Sequence, residues 1–191
     1  MRIEQALQID EGISDVVFHF TQITSFFDMV GSGSILLSRA KSGEDFGEGF
    51  EFFLSTARNK TNSFSSTRPQ GVLLTLDGRT LRQNLKGKPV DFFNDTDEFD
   101  EMEDRIFSNQ REIGPLERFV LKADILLSQR QVENETFRDE IEALKNEGFP
   151  VFVFDNRRDW ISGRKERARF IVEDGKFRVN LELLLRRRNE N

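Results

Sequence analysis

The chain has 191 residues, 37% apolar and 32% charged, which suits one domain large enough to bury a core behind a well-solvated surface. It has no cysteine and one histidine, which excludes disulfides, thiolate metal sites, cysteine nucleophiles and multi-histidine metal centres. Its net charge of −6 argues against general electrostatic attraction to nucleic acid. No apolar run approaches the roughly 18 residues of a membrane span. The first residues, Met1-Arg2-Ile3-Glu4-Gln5, lack the apolar stretch of a signal peptide, so the expectation is a single cytoplasmic domain over 1–191. Twenty phenylalanines stand beside no tyrosine, which removes tyrosine as an acid, base or stacking group.

Val16-Val17-Phe18-His19-Phe20 reads as a short buried strand. Thr21 or Thr24 is placed to cap a following helix, where Ile23, Phe26, Phe27 and Val30 recur at helical spacing until Gly31-Ser32-Gly33. A short strand over Ile35 to Ser38 follows, then a polar loop from Lys41 to Gly49 and a strand from Gly49 to Ser55. The Ser, Thr and Asn-rich stretch from Arg58 to Gln70 reads as a loop, and Gly71 to Gly78 as a strand closed by an Asp-Gly turn. Arg79 to Phe93 predicts one helical turn and then a loop through Pro89. Strands are expected at Arg105-Ile106-Phe107 and near Arg118 to Ile125. The clearest helix runs from Glu133 to Asn146, followed by the strand Val151-Phe152-Val153-Phe154. An amphipathic helix is predicted over Asp159 to Arg169, and a hairpin turning at Asp174-Gly175. No linker and no regular strand–helix alternation marks the chain, so the fold class is α+β.

Charge is unevenly spread. Residues 95–104 hold seven acids and no base. Residues 157–169 carry Arg157, Arg158, Arg164, Lys165, Arg167 and Arg169 against Asp159 and Glu166, which reads first as the solvated side of an amphipathic helix and otherwise as a basic face on an acidic body that would dock a nucleic-acid target. Three segments offer chemistry. His19, between two phenylalanines, reads by itself as a core or boundary histidine held by a backbone carbonyl, and functionally as a donor to a ligand hydroxyl with Thr21 nearby. Phe52-Phe53-Leu54-Ser55-Thr56-Ala57-Arg58 runs from an apolar strand into hydroxyls and an arginine. It reads as a capped strand end, or as an edge presenting Ser55 and Arg58 to a phosphate-bearing ligand beside rings able to stack. In the acidic run, Asp95 to Asp100 read as solvated surface. Glu101, Glu103 and Arg105 would share one face of a strand, and paired carboxylates there suit a sugar centre that gains positive charge. An EF-hand loop is excluded by Phe99 at a ligand position, while a lone magnesium site on Asp100, Glu103 and Asp104 stays open.

His-Phe-Thr after a strand, then Phe-Leu-Ser-Thr-Ala-Arg-Asn, then Glu-Met-Glu-Asp-Arg-Ile resembles the layout of the ADP-ribosyltransferase-like superfamily. The nearest likeness is to phage and bacterial members with a Glu-Asp-Arg signature; RNA 2′-phosphotransferases and DNA-modifying ADP-ribosyltransferase toxins are more distant. The likeness covers about residues 16–127. It implies a split antiparallel β-sandwich with flanking helices, NAD as substrate, and no metal. His19 would hold the adenosine-side ribose, with Thr21 beside it, and Ser55 would lie near the nicotinamide ribose. Phe52 or Phe53 would pack on the nicotinamide ring and Arg58 would contact the pyrophosphate. Glu103 would be the catalytic glutamate and Glu101 its acidic neighbour. Members that begin with histidine often place a tyrosine at the second position, and this chain has none. The resemblance thus implies ADP-ribosyl transfer to a protein or nucleic-acid target, in a bacterial or phage-infected cytoplasm. The competing readings are a non-catalytic, phage-encoded protein that binds a host factor on the same fold, and a metal-dependent nuclease using the acids of 95–104.

Overall fold

The computed structural model describes residues 15–39, 50–58, 70–91, 102–181 and 183, and for 86–91 and 102–105 the backbone alone. Its strands are β1 (Val16–Thr21), β2 (Ile35–Leu36), β3 (Ser38–Arg39), β4 (Phe52–Ala57), β5 (Gly71–Asp77), β6 (Lys86–Asp91), β7 (Met102–Ser108), β8 (Glu112–Ile113), β9 (Val120–Leu126), β10 (Val151–Phe154), β11 (Phe170–Glu173) and β12 (Lys176–Val179). The helices are α1 (Ile23–Ser32), α2 (Gly78–Asn84), α3 (Leu116–Phe119), α4 (Gln129–Val132), α5 (Glu135–Ala143) and α6 (Arg157–Ser162). The class is α+β. Ten strands form one sheet in the order β12-β11-β10-β9-β5-β1-β4-β7-β6, with β3 beside β4, and β2 pairs with β8 separately. Among the described strands only β9 and β10 run parallel, and α4 and α5 cross between them. No helix among the described residues is long and apolar enough to cross a membrane.

Alternation along the strands sends side chains to two faces. On one face Val17, Leu54, Val72, Leu74, Ile106, Ile125 and Val151 join the main core with Phe26 and Met29 of α1, Leu81 of α2, Leu116 of α3 and Ile141 of α5. On the other, Leu73, Leu126, Phe152 and Phe154 pack with Trp160 of α6 and Ala168, and Phe18 and Phe20 lie against them. The ring of Phe20 meets Trp160 edge-on, with centroids 6.2 Å apart. Gly71 starts β5 with φ 157°, and a Cβ there would collide with the Phe20 ring, so glycine is what lets that ring close over the strand start.

Several local expectations change. Neither Thr21 nor Thr24 caps α1: Thr21 is the buried last residue of β1, and Gln22 stands at the cap without a side-chain bond. The helix ends as expected at Gly33, with φ 67°. Asp77-Gly78 opens a helix instead of making a turn, because the Asp77 carboxylate accepts from the N–H groups of Arg79 and Thr80 at 3.0 and 3.1 Å. Pro89 lies in a strand, β6, where a loop was expected; among the described residues β6 pairs with β7 alone and is an edge strand, so a missing N–H is tolerated there. The helix expected over 159–169 is α6 and a separate 3₁₀ turn, Lys165–Arg167, interrupted by Gly163 at φ 58°. The loop expected from Lys41 to Gly49, and that from Arg58 to Gln70 except for its two end residues, lie outside the described residues.

Asp15, just before β1, accepts from Arg79 at 2.6 Å and from Arg82 at 2.5 Å and so ties α2 to the sheet. Hydrogen bonds from Arg79 and then Arg82 outweigh desolvation and lower its carboxyl pKa from 3.8 to about 2. Because the folded value lies below the unfolded one, the tie contributes fully above pH 3.8 and is lost as pH falls toward 2. In thermal melts the native chain is expected to exceed Asp15→Asn by a small margin near neutral pH, and that margin should vanish at about pH 2.

Candidate functional site

β1 pairs with β5 from Val16↔Asp77 to Thr21↔Val72, but with β4 only at Phe18↔Ala57. Past that bridge the ladder between β1 and β4 stops, and a side chain spans the gap: Nδ1 of His19 donates to the Ser55 carbonyl at 2.8 Å. A carbonyl can only accept, which places the proton on Nδ1 and leaves Nε2 as an acceptor. Burial lowers the His19 pKa, against a smaller upward pull from the Ser55 carbonyl, so the ring is neutral at pH 7.

His19 faces a cavity of about 380 Å³ between α1 and the strands that follow it, lined also by Phe20, Thr21, Gln22, Ser25 and Leu37. A second cavity of about 320 Å³ is lined by Leu37, Arg39, Phe52 and Arg111. The two share Leu37. The first presents hydroxyls and an imidazole. Among the described residues the second presents two exposed guanidinium groups and a phenyl ring and no acid, which is the chemistry of an anion beside a flat apolar group. Arg39 comes from β3, held on β4 by the pairs Ser38↔Phe53 and Arg39↔Phe52. Arg111 precedes β8, and its carbonyl accepts from the N–H of Leu37 at 2.9 Å, which extends the β2–β8 pairing and with it sets the spacing of the walls.

The strand bearing Glu103 lies on the far side of β4. Ser55↔Arg105 and Ala57↔Glu103 are paired there, and Val90 of β6 pairs with Glu103 on the other edge. The expected strand at Arg105–Phe107 thus extends back to Met102. Glu101 and Asp95 to Asp100 lie outside the described residues, and Glu103 is placed by its backbone. Among the described residues no group of three His, Asp or Glu side chains is gathered as a metal site would require.

Of the residues expected at a site, His19 and Thr21 line the first cavity and Phe52 the second, while Ser55, Phe53 and Arg58 line neither. Ser55 meets His19 through its carbonyl, the role that a boundary histidine predicts, and its side chain is exposed. Ser25, Leu37, Arg39 and Arg111 enter only with the structure. Arg39 had a faint signal as the arginine that closes a short apolar strand, whereas Arg111 sits in a polar loop with none. The basic face over 157–169 also divides. Lys165 and Arg178 both donate to Glu173, and Arg169 pairs with Asp155 at 3.2 Å in a spot where the two side chains are 11% and 4% exposed. Compared with family models, with curated proteins and with solved structures, the chain matches none.

The neutral His19 has a consequence for stability. Its folded pKa lies below 6.5, so above pH 6.5 its contribution is complete. As pH falls below that value the unfolded chain takes up a proton that the folded chain refuses, and stability drops by at most about 1.4 kcal/mol per pH unit. Urea unfolding between pH 7.5 and 5.5 is expected to show this loss in the native chain, and His19→Asn should remove most of its pH dependence.

Proposed function

We propose that the chain binds NAD in the two adjoining cavities and transfers its ADP-ribosyl group to a macromolecular target, on a split sheet of ADP-ribosyltransferase-like type. The observation that carries this reading is the opening between β1 and β4, spanned by a neutral His19 with the Glu103 strand laid along the other edge of β4. The three segments that resemble the superfamily thereby stand on three successive strands of the sheet. The cavities add chemistry that suits the ligand. Nε2 of His19 can accept from a ribose hydroxyl, Arg39 and Arg111 can hold the diphosphate in place of the Arg58 first expected there, and Phe52 offers an apolar ring.

In this reading the bond from C1′ of the nicotinamide ribose to the ring nitrogen breaks, and nicotinamide leaves with the electron pair. The Glu103 carboxylate bonds the ribose 2′-hydroxyl and stabilises the cationic C1′. A nucleophile of the target then bonds to C1′ and gives up its proton. Glu101 would be the neighbouring acid.

Two experiments test this. Incubation with NAD should release nicotinamide, and Glu103→Gln should reduce the rate by about a hundredfold or more while leaving the circular dichroism spectrum unchanged. Absence of both nicotinamide release and an NAD-induced rise in melting temperature would sink the reading. Replacing Arg39 and Arg111 together by Gln should raise KM for NAD by about tenfold or more with a smaller effect on kcat, since charge-assisted bonds to the diphosphate are made before and during reaction alike. An unchanged KM would remove the arginines from the site.

A further inference from the structure

We propose that the concavity lined by Arg158, Arg164 and Arg167 docks the phosphate backbone of a polynucleotide, and that nucleic acid is therefore the acceptor brought to the cleft. The second half of this statement rests on the function proposed above; the first does not.

The concavity measures about 460 Å³, and Asn156, Asp159 and Ser162 complete its wall. All three arginines are exposed, and among the described residues none makes an ion pair. They contrast with the adjacent Lys165 and Arg169, which are engaged by Glu173 and Asp155. Among the described residues Asp159 is the one acid in the wall, so these side chains carry a surplus of positive charge on a chain whose net charge is −6. A polyanion is repelled by most of such a surface and meets attraction here, which orients as well as attracts it. Arginine is also the more telling cation. Its planar fork matches phosphate oxygens in pairs, where a lysine is a point charge.

The backbone beneath is held firmly. Trp160 is buried, and its Nε1 donates to the Asp124 carbonyl at 2.9 Å. The Asn156 side chain accepts from the N–H groups of Arg158 and Asp159 at 2.8 and 3.2 Å. Ser162 Oγ donates to the Asp159 carbonyl at 2.7 Å, and Asn180 donates to the Glu166 carbonyl at 3.1 Å. The three guanidinium groups therefore project from a fixed frame.

Two features favour nucleic acid over an acidic protein. A protein interface needs apolar or aromatic anchors at its centre, but among the described residues the exposed large hydrophobics, Val16, Leu121 and Leu181, all lie outside this segment. Backbone recognition of a polynucleotide needs only phosphate contacts. The second feature is position. Thr21↔Val72, Gly71↔Leu126 and Leu126↔Phe154 form a row at one end of the sheet, so the segment after Phe154 and the His19 cavity beside Thr21 share that end. Three strand spacings of about 4.8 Å separate β1 from β10, roughly 14 Å, or about four nucleotides of one strand. α6 packs on the Phe20 face and His19 points to the other, so a chain docked on the arginines passes around this shared end of the sheet to reach the cleft. With Trp160 buried, no aromatic platform is offered here among the described residues, so binding should be indifferent to sequence.

The test is fluorescence anisotropy with labelled DNA duplex, single-stranded DNA and RNA of about 20 nucleotides each, without NAD, over a series of salt concentrations. Dissociation constants of order 10⁻⁴ to 10⁻⁶ M are expected near physiological salt, and three phosphate contacts give a slope of about −2 to −3 in log K against log salt. The triple variant Arg158→Gln, Arg164→Gln, Arg167→Gln should bind about tenfold or more weakly and lose most of that slope. A control with the same charge loss on exposed residues elsewhere, Arg130→Gln, Arg138→Gln, Lys176→Gln, should stay within about twofold. Equal weakening by both triples would reduce the effect to net charge and overturn the proposal, as would unchanged binding by the first triple or polyglutamate binding as tightly as nucleic acid. Melting curves confirm that each variant folds. Basal nicotinamide release should be the same in the first triple and the native chain. Nucleic-acid binding without any nicotinamide release would overturn the function proposed above and leave the surface standing; release without nucleic-acid binding would do the reverse.

Discussion

The bond from the His19 ring to the Ser55 carbonyl joins two parts of one sheet where the backbone ladder between them has ended. On one side β1 leads through β5, β9, β10 and β11 to β12; on the other β4 carries β7, β6 and β3. The ladder between these parts is bridged at Phe18↔Ala57, and beyond it an imidazole does what a peptide group does elsewhere. A protonated ring could make the same bond, but it would have to bring a charge out of water, so burial selects the neutral form. That choice leaves Nε2 as an acceptor at the wall of a cavity. A structural demand and a binding property therefore follow from one tautomer.

The two parts are not held by His19 alone. Leu54 of β4 and Ile106 of β7 pack into the same core as Val17, Leu74 and Phe26, so apolar burial supplies the adhesion and the histidine sets the geometry of the gap. The other face of the sheet has its own cluster. There Phe20, which flanks His19 in sequence, meets Trp160, and Trp160 is bonded to the Asp124 carbonyl. Asp124 is itself fully buried and accepts from Lys122 at 2.8 Å, while that ammonium lies 5.6 Å from the centre of the Phe152 ring. Alternation along β1 thus couples the two clusters: His19 faces the cavity and Phe20 anchors the layer that carries the arginines.

Legibility followed the strength of local patterns. β1, β5, β10 and the hairpin of β11 and β12 were readable because apolar runs bounded by turn residues have few alternatives. At the hairpin Asp174 and Gly175 take φ 52° and 68°, the left-handed pair that a two-residue turn requires. α1 and α5 were readable from helical spacing, and α1 also from the glycine, Gly33, at its end. Pro89 misled because a proline normally forbids a strand, and only the edge position of β6 makes it admissible. Asp77-Gly78 misled because the same dipeptide serves a hairpin turn or a helix start, and what decides is whether the next N–H groups reach the carboxylate. The basic run misled in extent, because Glu173 and Asp155, which engage Lys165 and Arg169, come from other turns of the chain.

The sequence by itself determined the class, the strands and helices with strong periodicity, and the singular position of His19 in a chain with no second histidine, no cysteine and no tyrosine. These are properties of local pattern and composition, and they need no partner from elsewhere in the chain. Only the tertiary structure decided that the His19 bond goes to a carbonyl thirty-six residues away, that Arg39 and Arg111 share a cavity with Phe52, and that the register sets Ala57 across from Glu103. Each of these depends on which strands become neighbours. That choice is made by burying both faces of a ten-stranded sheet at once, and no segment of the sequence carries that information alone.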